Sequence, residues 1–309
     1  RFAIPIVFSR VFQLCYNLAD TRIIGSALGD SSLAAISASS TFYQLLLTFL
    51  TGLTSGFAIV VARYFGAHDE RPFRQAVAGT FRWGLVIGLS LTVLSLLSLP
   101  WMLQLLNIDA ALLPESRTYI QLVLFGLILS ALYNLCAGVL YGVGDSFTPL
   151  IFLIIGTTGN IALDILFVMV LPWGVAGAAV GTVLAQGFTA VGCLLYMLLH
   201  YPSLRLQKAD FTVEPAITTD LLKTGFSCGL MQSMISLGSL TLQITINGLG
   251  ETYIVAQTAA RRISEILMMP FLALASAVGT FTSQNLGSGK LQRVRAGFQP
   301  AIVRWWAWG

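Results

Sequence analysis

The sequence predicts an all-α polytopic membrane protein. Its plan is two six-helix lobes in a parallel repeat, twelve spans when complete, of which eight to nine lie in this chain. Three observations carry that expectation. Of 309 residues, 56% are hydrophobic and 10% charged, whereas soluble domains carry about 25% charged residues. Mean hydropathy is +0.81. Apolar runs long enough to cross a bilayer, about 20 residues each, follow one another with short polar breaks. A segment near the N-terminus also recurs 221 positions later. In hydrocarbon a backbone must satisfy its own polar groups, so each span should be helical.

The spans fall near 2–28, 33–62, 76–104, 118–141, 148–171, 174–200, 220–248 and 253–283, with a ninth opening around 297. The first run, FAIPIVFSRVFQLCYNLADTRIIGSAL, holds Asp20 at bilayer depth. The basic residues alternate between loops. Arg63, Arg71, Arg74 and Arg82 flank the break after the second span, Arg205, Lys208 and Lys223 the break after the sixth, and Lys290, Arg293 and Arg295 the break after the eighth. The intervening loops, GSALGDSS, NIDAALLPESR, PWGVAG and GLGE, hold few basic residues. Basic loops stay on the cytoplasmic side. The N-terminus is therefore expected to be cytoplasmic, in a multi-pass protein of the plasma membrane, the inner membrane of a bacterium.

His200–Thr219 is the longest polar stretch and reads as a linker. The expected organisation is an N-terminal six-helix lobe over 1–200, a cytoplasmic inter-lobe linker over 201–219, and a partial C-terminal lobe over 220–309. In the repeat, Leu28-Gly29-Asp30 falls on Leu249-Gly250-Glu251, Gly66 on Gly287, and Arg74 on Arg295. A shift of six spans is even, so both halves insert in the same orientation, about an axis along the membrane normal. The chain opens on Arg1 rather than Met and closes on RWWAWG early in the ninth span. Further residues are expected before it, and further helices after it.

A carboxylate at bilayer depth costs roughly 2.5–3.5 kcal/mol on insertion scales and is a functional-site hypothesis by default. Tyr16 and Asp20 are four apart and share a face of the first helix, with Asn17 close beside. Asn160 and Asp164 repeat that spacing on the fifth, and Thr182 and Gln186 on the sixth. The economical arrangement points all of them into one cavity. Two carboxyls there can share a proton whose release follows the side the cavity faces, and a sodium ion could use the same oxygens. Pro5, fifteen residues before Asp20, marks a bend in the first helix, static or coupled to protonation. Arg261, Arg262 and Glu265 in the eighth span have ion-pair spacing.

Other chemistries find no footing. Cys15, Cys136, Cys193 and Cys228 lie in apolar runs without a CxxC pair and read as small hydrophobes, so no metal site or cofactor is expected. The net charge of +4 comes without a basic stripe interleaved with aromatics, so no nucleic-acid partner is expected. Gly142-Val143-Gly144-Asp145 resembles a protease motif, but it follows a span end and precedes Ser146-Phe147-Thr148-Pro149. It reads as a turn with Asp145 as a helix cap. No hydrolase, nucleotide or dinucleotide fingerprint is found, so the chain is not expected to be an enzyme and transport would run on an ion gradient.

Together, Ala3-Ile4-Pro5, Tyr16-Asn17-Leu18-Ala19-Asp20-Thr21, Gly66-Ala67, Leu140-Tyr141-Gly142-Val143-Gly144-Asp145, Thr148-Pro149, Gly159-Asn160-Ile161-Ala162-Leu163-Asp164, Gly174-Val175-Ala176-Gly177-Ala178-Ala179 and Gln284-Asn285-Leu286-Gly287 resemble the multidrug and toxic compound extrusion (MATE) family. The resemblance implies two six-helix lobes in a V. It implies export of amphiphilic, often cationic compounds by alternating access, in exchange for protons or sodium. A coupling site would sit at the positions of Tyr16, Asp20, Asn160, Asp164 and Thr182, with Pro5 as the bending proline. Sodium-coupled relatives carry an acid in the seventh helix, where this chain has Gln232 and Gln243. That places it nearer the DinF-like branch. Its expected partners are small organic substrates and membrane lipid, and it is expected to act as a monomer. A flippase for a lipid-linked intermediate would want central cations, whereas Arg10 and Arg22 lie toward the ends of the first helix. A truncated remnant without transport is the other alternative.

Overall fold

The computed structural model describes residues 2–105, 113–248 and 250–297. Its long helices are α1 (Ala3–Gly66), α2 (Glu70–Leu105), α3 (Leu113–Val143), α4 (Phe147–Asp164), α5 (Gly174–His200), α6 (Pro215–Asn247) and α7 (Glu251–Gly287), and no strand occurs among the described residues. The fold is that of an all-α polytopic membrane protein. Among the described residues, six stretches are long and apolar enough to cross a bilayer: 40–66, 70–104, 113–143, 147–170, 174–200 and 256–287. The first arm of α1 carries Arg10, Asp20 and Arg22, and α6 opens with Asp220 and Lys223, which dilute their apolar character. The ninth span expected around 297 falls largely outside the described residues.

The expected loop between the first two spans is absent. Helix runs up to Gly29 and resumes at once, so α1 consists of two arms, 3–28 and 30–66, broken by one residue at φ 82° and ψ 175°. Only glycine adopts that backbone without a steric penalty. Ile24 from the first arm and Ile36 from the second join one buried cluster with Val168, Val175 and Ala178.

The offset of 221 is written into the backbone. Gly250, the equivalent of Gly29, opens α7 at φ 106° and ψ 170°. His68 and Gly289, also equivalent, are both left-handed, at φ 56° and 71°. Before them, Ala67 N–H donates to the Arg63 carbonyl at 3.1 Å, and Ser288 N–H donates to the Gln284 carbonyl at 3.1 Å. Segments of little identity therefore end their helices in the same way.

The main core joins Leu50, Leu53, Phe57 and Val61 of α1 to Ala76 and Val77 of α2, Leu127, Leu135 and Val139 of α3, Met197 of α5 and Leu221 of α6. Lipid tails are as apolar as these side chains, so close packing rather than exclusion of water holds helices together. Glycines supply it. A Cβ at Gly56 would lie 2.6 Å from Gly225 Cα, and one at Gly225 would lie 2.4 Å from the Phe57 ring. Pro100 and Pro270 sit inside α2 and α7, as spanning helices tolerate.

The segment between α5 and α6 is ordered against α2. It forms 3₁₀ turns at Pro202–Leu204 and Lys208–Phe211. Gln75 Nε2 donates to the Thr212 carbonyl at 3.0 Å, Arg74 lies 3.8 Å from Asp210, and Leu204 is buried. Pro215 takes the first turn of α6, where its missing N–H costs nothing. The helix therefore begins a few residues before the expected end of the linker. Arg63, Arg74, Arg82, Arg205 and Lys223 gather at this end of the bundle, here termed the basic end.

Candidate functional site

Asp20 lies in the last third of the first arm of α1, and Asp164 closes α4. Tyr16, one turn before Asp20, donates its phenolic hydrogen to Asn160 Oδ1. Asn160 Nδ2 donates in turn to Asp164 Oδ1 at 3.2 Å. The two helical pairs with four-residue spacing thus form one continuous polar chain. Asp164 is completely buried, and its Oδ2 has no donor among the described groups. Asp20 lies within hydrogen-bonding reach of Asp164. Two carboxylates offer no donor to each other, so a bond between them needs one proton held in common.

The surroundings of Asp164 are shaped by backbone. From Ile165 to Val170 the helix widens into a π-helix, a departure from α geometry that recurs at functional sites. On the other side α5 comes close at Gly181, where a Cβ would sit 2.8 Å from Asp164 Oδ1.

The remaining sequence candidates are distributed differently. Thr182 donates to the Ala178 carbonyl of its own helix at 3.0 Å, rather than to a carboxylate. Gln186 belongs to a separate network: its Nε2 donates to Tyr43 Oη at 3.2 Å, and Tyr43 Oη is 3.1 Å from Ser130 Oγ. Pro5 stands in the first described turn of α1, with its carbonyl accepting from Ser9 Oγ at 2.9 Å. The break in α1 is at Gly29. The Asn17 side chain lies outside the described residues. Glu265 accepts from Arg261 at 3.1 Å and from Arg262 at 3.5 Å, on an exposed face of α7.

Tyr43, Tyr119 and Ser130 escaped the sequence reading. Tyr119 packs against the buried cluster of Ile24, Ile36, Val168, Val175 and Ala178. Tyr43 and Tyr119 stand in polar stretches (SASSTFYQ and PESRTYIQ) where nothing sets one side chain apart, whereas Ser130 lies four residues before Asn134, a helical spacing that marks it.

The GVGD segment is the expected turn. Gly144 is left-handed at φ 96°, and Asp145 Oδ1 accepts from the backbone N–H groups of Phe147 and Thr148 at 2.9 and 3.0 Å. Its Oδ2 accepts from the Tyr201 hydroxyl at 2.5 Å. Burial alone would raise the Asp145 pKa, but the bonds from Thr148, Tyr201 and Phe147 outweigh it and hold the carboxyl below the usual range. Burial, then the bond to Asp145, push the Tyr201 phenol up to about 12.

The MatE family model matches residues 5–166 and 228–304. This chain belongs to the MATE family. Its relatives include the probable multidrug resistance protein YpnP of Bacillus subtilis, 29% identical over 299 residues, covering 95% of this chain and 65% of that protein. DNA damage-inducible protein F of Escherichia coli is 26% identical over 252 residues, covering 79% of this chain and 52% of that protein. Among solved structures, an outward-facing MATE transporter of the MOP superfamily superposes with a TM-score of 0.88 at 25% identity, over 98% of this chain and 67% of that one. A MATE in the bent conformation gives 0.90 at 25% identity, over 98% of this chain and 68% of that one. This MATE chain therefore spans about two thirds of the length of the curated relatives it matches.

Proposed function

We propose that the protein is a multidrug efflux antiporter of the plasma membrane. It exports amphiphilic organic compounds by alternating access and takes protons in exchange. The observation that carries the reading is the chain Tyr16–Asn160–Asp164 with Asp20 beside it. Asp164 Oδ2 is buried without a donor, and the donor it lacks is supplied when one carboxyl of the pair is protonated. A change in that protonation alters what binds α1 to α4. A proton can thus exert force on helix packing, which a coupled carrier requires. The names of the relatives support export of drugs. The basic loops support a cytoplasmic N-terminus. The reading includes a monomer without a bound cofactor, in which 1–200 and the part from α6 onward belong to separate lobes. The same oxygens suit a sodium ion, so the coupling ion is set by experiment.

The test is efflux of a fluorescent organic cation from membrane vesicles under an imposed pH gradient, with Asp20→Asn beside the wild type. Efflux that follows the pH gradient and is lost in the variant supports the reading. Efflux that follows sodium instead, or survives the substitution, removes the carboxyl pair as the proton site.

A further inference from the structure

The positions that the repeat makes equivalent meet each other in space. A Cβ on Gly66 would lie 1.9 Å from the carbonyl oxygen of Gln284, and one on Gly287 would lie 1.8 Å from the carbonyl oxygen of Arg63. Gly66 and Gly287 are equivalent at the offset of 221, and so are Arg63 and Gln284. The contact is therefore reciprocal: the ends of α1 and α7 cross on the repeat's own axis, each glycine under the other helix's carbonyl. No residue with a side chain fits at either position without moving backbone.

The side chains of the same pair add a tie each. Arg63 forms an ion pair with Asp220 on α6, and Tyr64 Oη donates to the same Asp220 oxygen at 3.4 Å. Gln284 Nε2 donates to the Gly142 carbonyl at the end of α3, at 2.8 Å. Below these ties the second arm of α1 lies directly on α6. A Cβ on Gly52 would sit 2.7 Å from the Cys228 carbonyl, and Phe49 packs on Phe226 with ring centroids 6.0 Å apart.

We infer that these contacts are a latch closing the basic end of the transporter, and that this end must unlatch for the cavity to open there. The inference rests on the alternating-access reading above. It names the parts: Gly66 and Gly287 set how closely the segments before and after the linker approach, and Arg63–Asp220 and Gln284–Gly142 hold them. A contact on the repeat axis suits the role, because two halves that tilt apart about a line in the membrane plane, in opposite senses, move symmetrically there and separate with little sliding. Arg63 and Asp220 are each more than a third exposed, so their pairing is weak enough to break in each cycle.

The test uses the full-length protein in membranes, with Cys228 kept as its single cysteine. Cys228 is half-buried, behind the latch against Gly52. A membrane-impermeant maleimide applied from the basic side reports how often that end opens. Asp220→Asn should speed labelling about two- to fivefold, the worth of a half-exposed ion pair. Gly287→Ala should speed it about fivefold or more, because the added methyl overpacks against backbone. Reversing the pair, Arg63→Asp with Asp220→Arg, should restore slow labelling, which a merely destabilised protein would not do. Wild-type labelling rates in both Asp220→Asn and Gly287→Ala would overturn the latch. If Gly287→Ala does not fold, Asp220→Asn and its reversal decide alone. Failure of gradient-driven efflux in the parent would instead strike the exporter reading and leave the labelling result standing.

Discussion

Gly181→Ala puts the coupling geometry under direct strain. The added methyl would sit 2.8 Å from Asp164 Oδ1, whereas ordinary contact begins at 3.4 Å, so the carboxylate must retreat by about 0.6 Å. The Asn160 Nδ2 bond to that oxygen is already 3.2 Å long. A retreat along that direction takes it past hydrogen-bonding distance. A bond to a charged group is worth about 1.5–3 kcal/mol, or roughly ten- to a hundredfold in an equilibrium. The expected result is a fall of about tenfold or more in pH-gradient-driven efflux by vesicles. Gly159→Ala is the matched control, because a Cβ there meets nothing within 4 Å, and alanine is the better helix former by roughly 0.5–1 kcal/mol. The assay compares efflux rates at equal protein levels, with thermal aggregation monitored in detergent. Wild-type efflux in Gly181→Ala, with an unchanged pH dependence, would refute the claim that the position of Asp164 governs coupling.

Three further outcomes follow from the same geometry. Tyr16→Phe removes the donor to Asn160 Oδ1 and leaves a buried acceptor unpaired at about 1–3 kcal/mol. The melting temperature should drop by only a few degrees for that cost while efflux falls at least severalfold at equal folded protein, and efflux per folded molecule equal to the wild type would point to a structural role. Asp145 is held below the usual carboxylate range, so the stability it lends is full above its unfolded pKa of about 3.9 and is lost as pH falls through the lower folded value. Asp145→Asn should therefore flatten the drop in melting temperature on acidification below about pH 4, and a variant as acid-sensitive as the wild type would contradict the assignment. Phe57 is fully buried with its ring on Gly225, so Phe57→Ala should cost about 3–5 kcal/mol. Detergent melting curves should show a large shift, and a melting point near that of the wild type would mean the α1–α6 contact bears little load.

Local pattern and global shape divide the account between them. Composition and run length settle that the chain is a helical membrane protein, because a backbone in hydrocarbon has few options and each needs a long apolar run. The repeat is legible because glycine spacing survives where apolar side chains interchange, and Gly29 and Gly250 show the backbone reason. The pairs Tyr16–Asp20 and Asn160–Asp164 are legible because spacing within a helix is a local property. Which pairs meet is not local. The same spacing also marked Thr182 and Gln186, yet one turns back on its own helix and the other joins Tyr43 and Ser130. Tyr43 between Gln186 and Ser130, Gly181 against Asp164, and the crossing of Gly66 with Gly287 appear only when helices distant in sequence are packed. Their significance lies in the distance between backbones, which no single segment encodes.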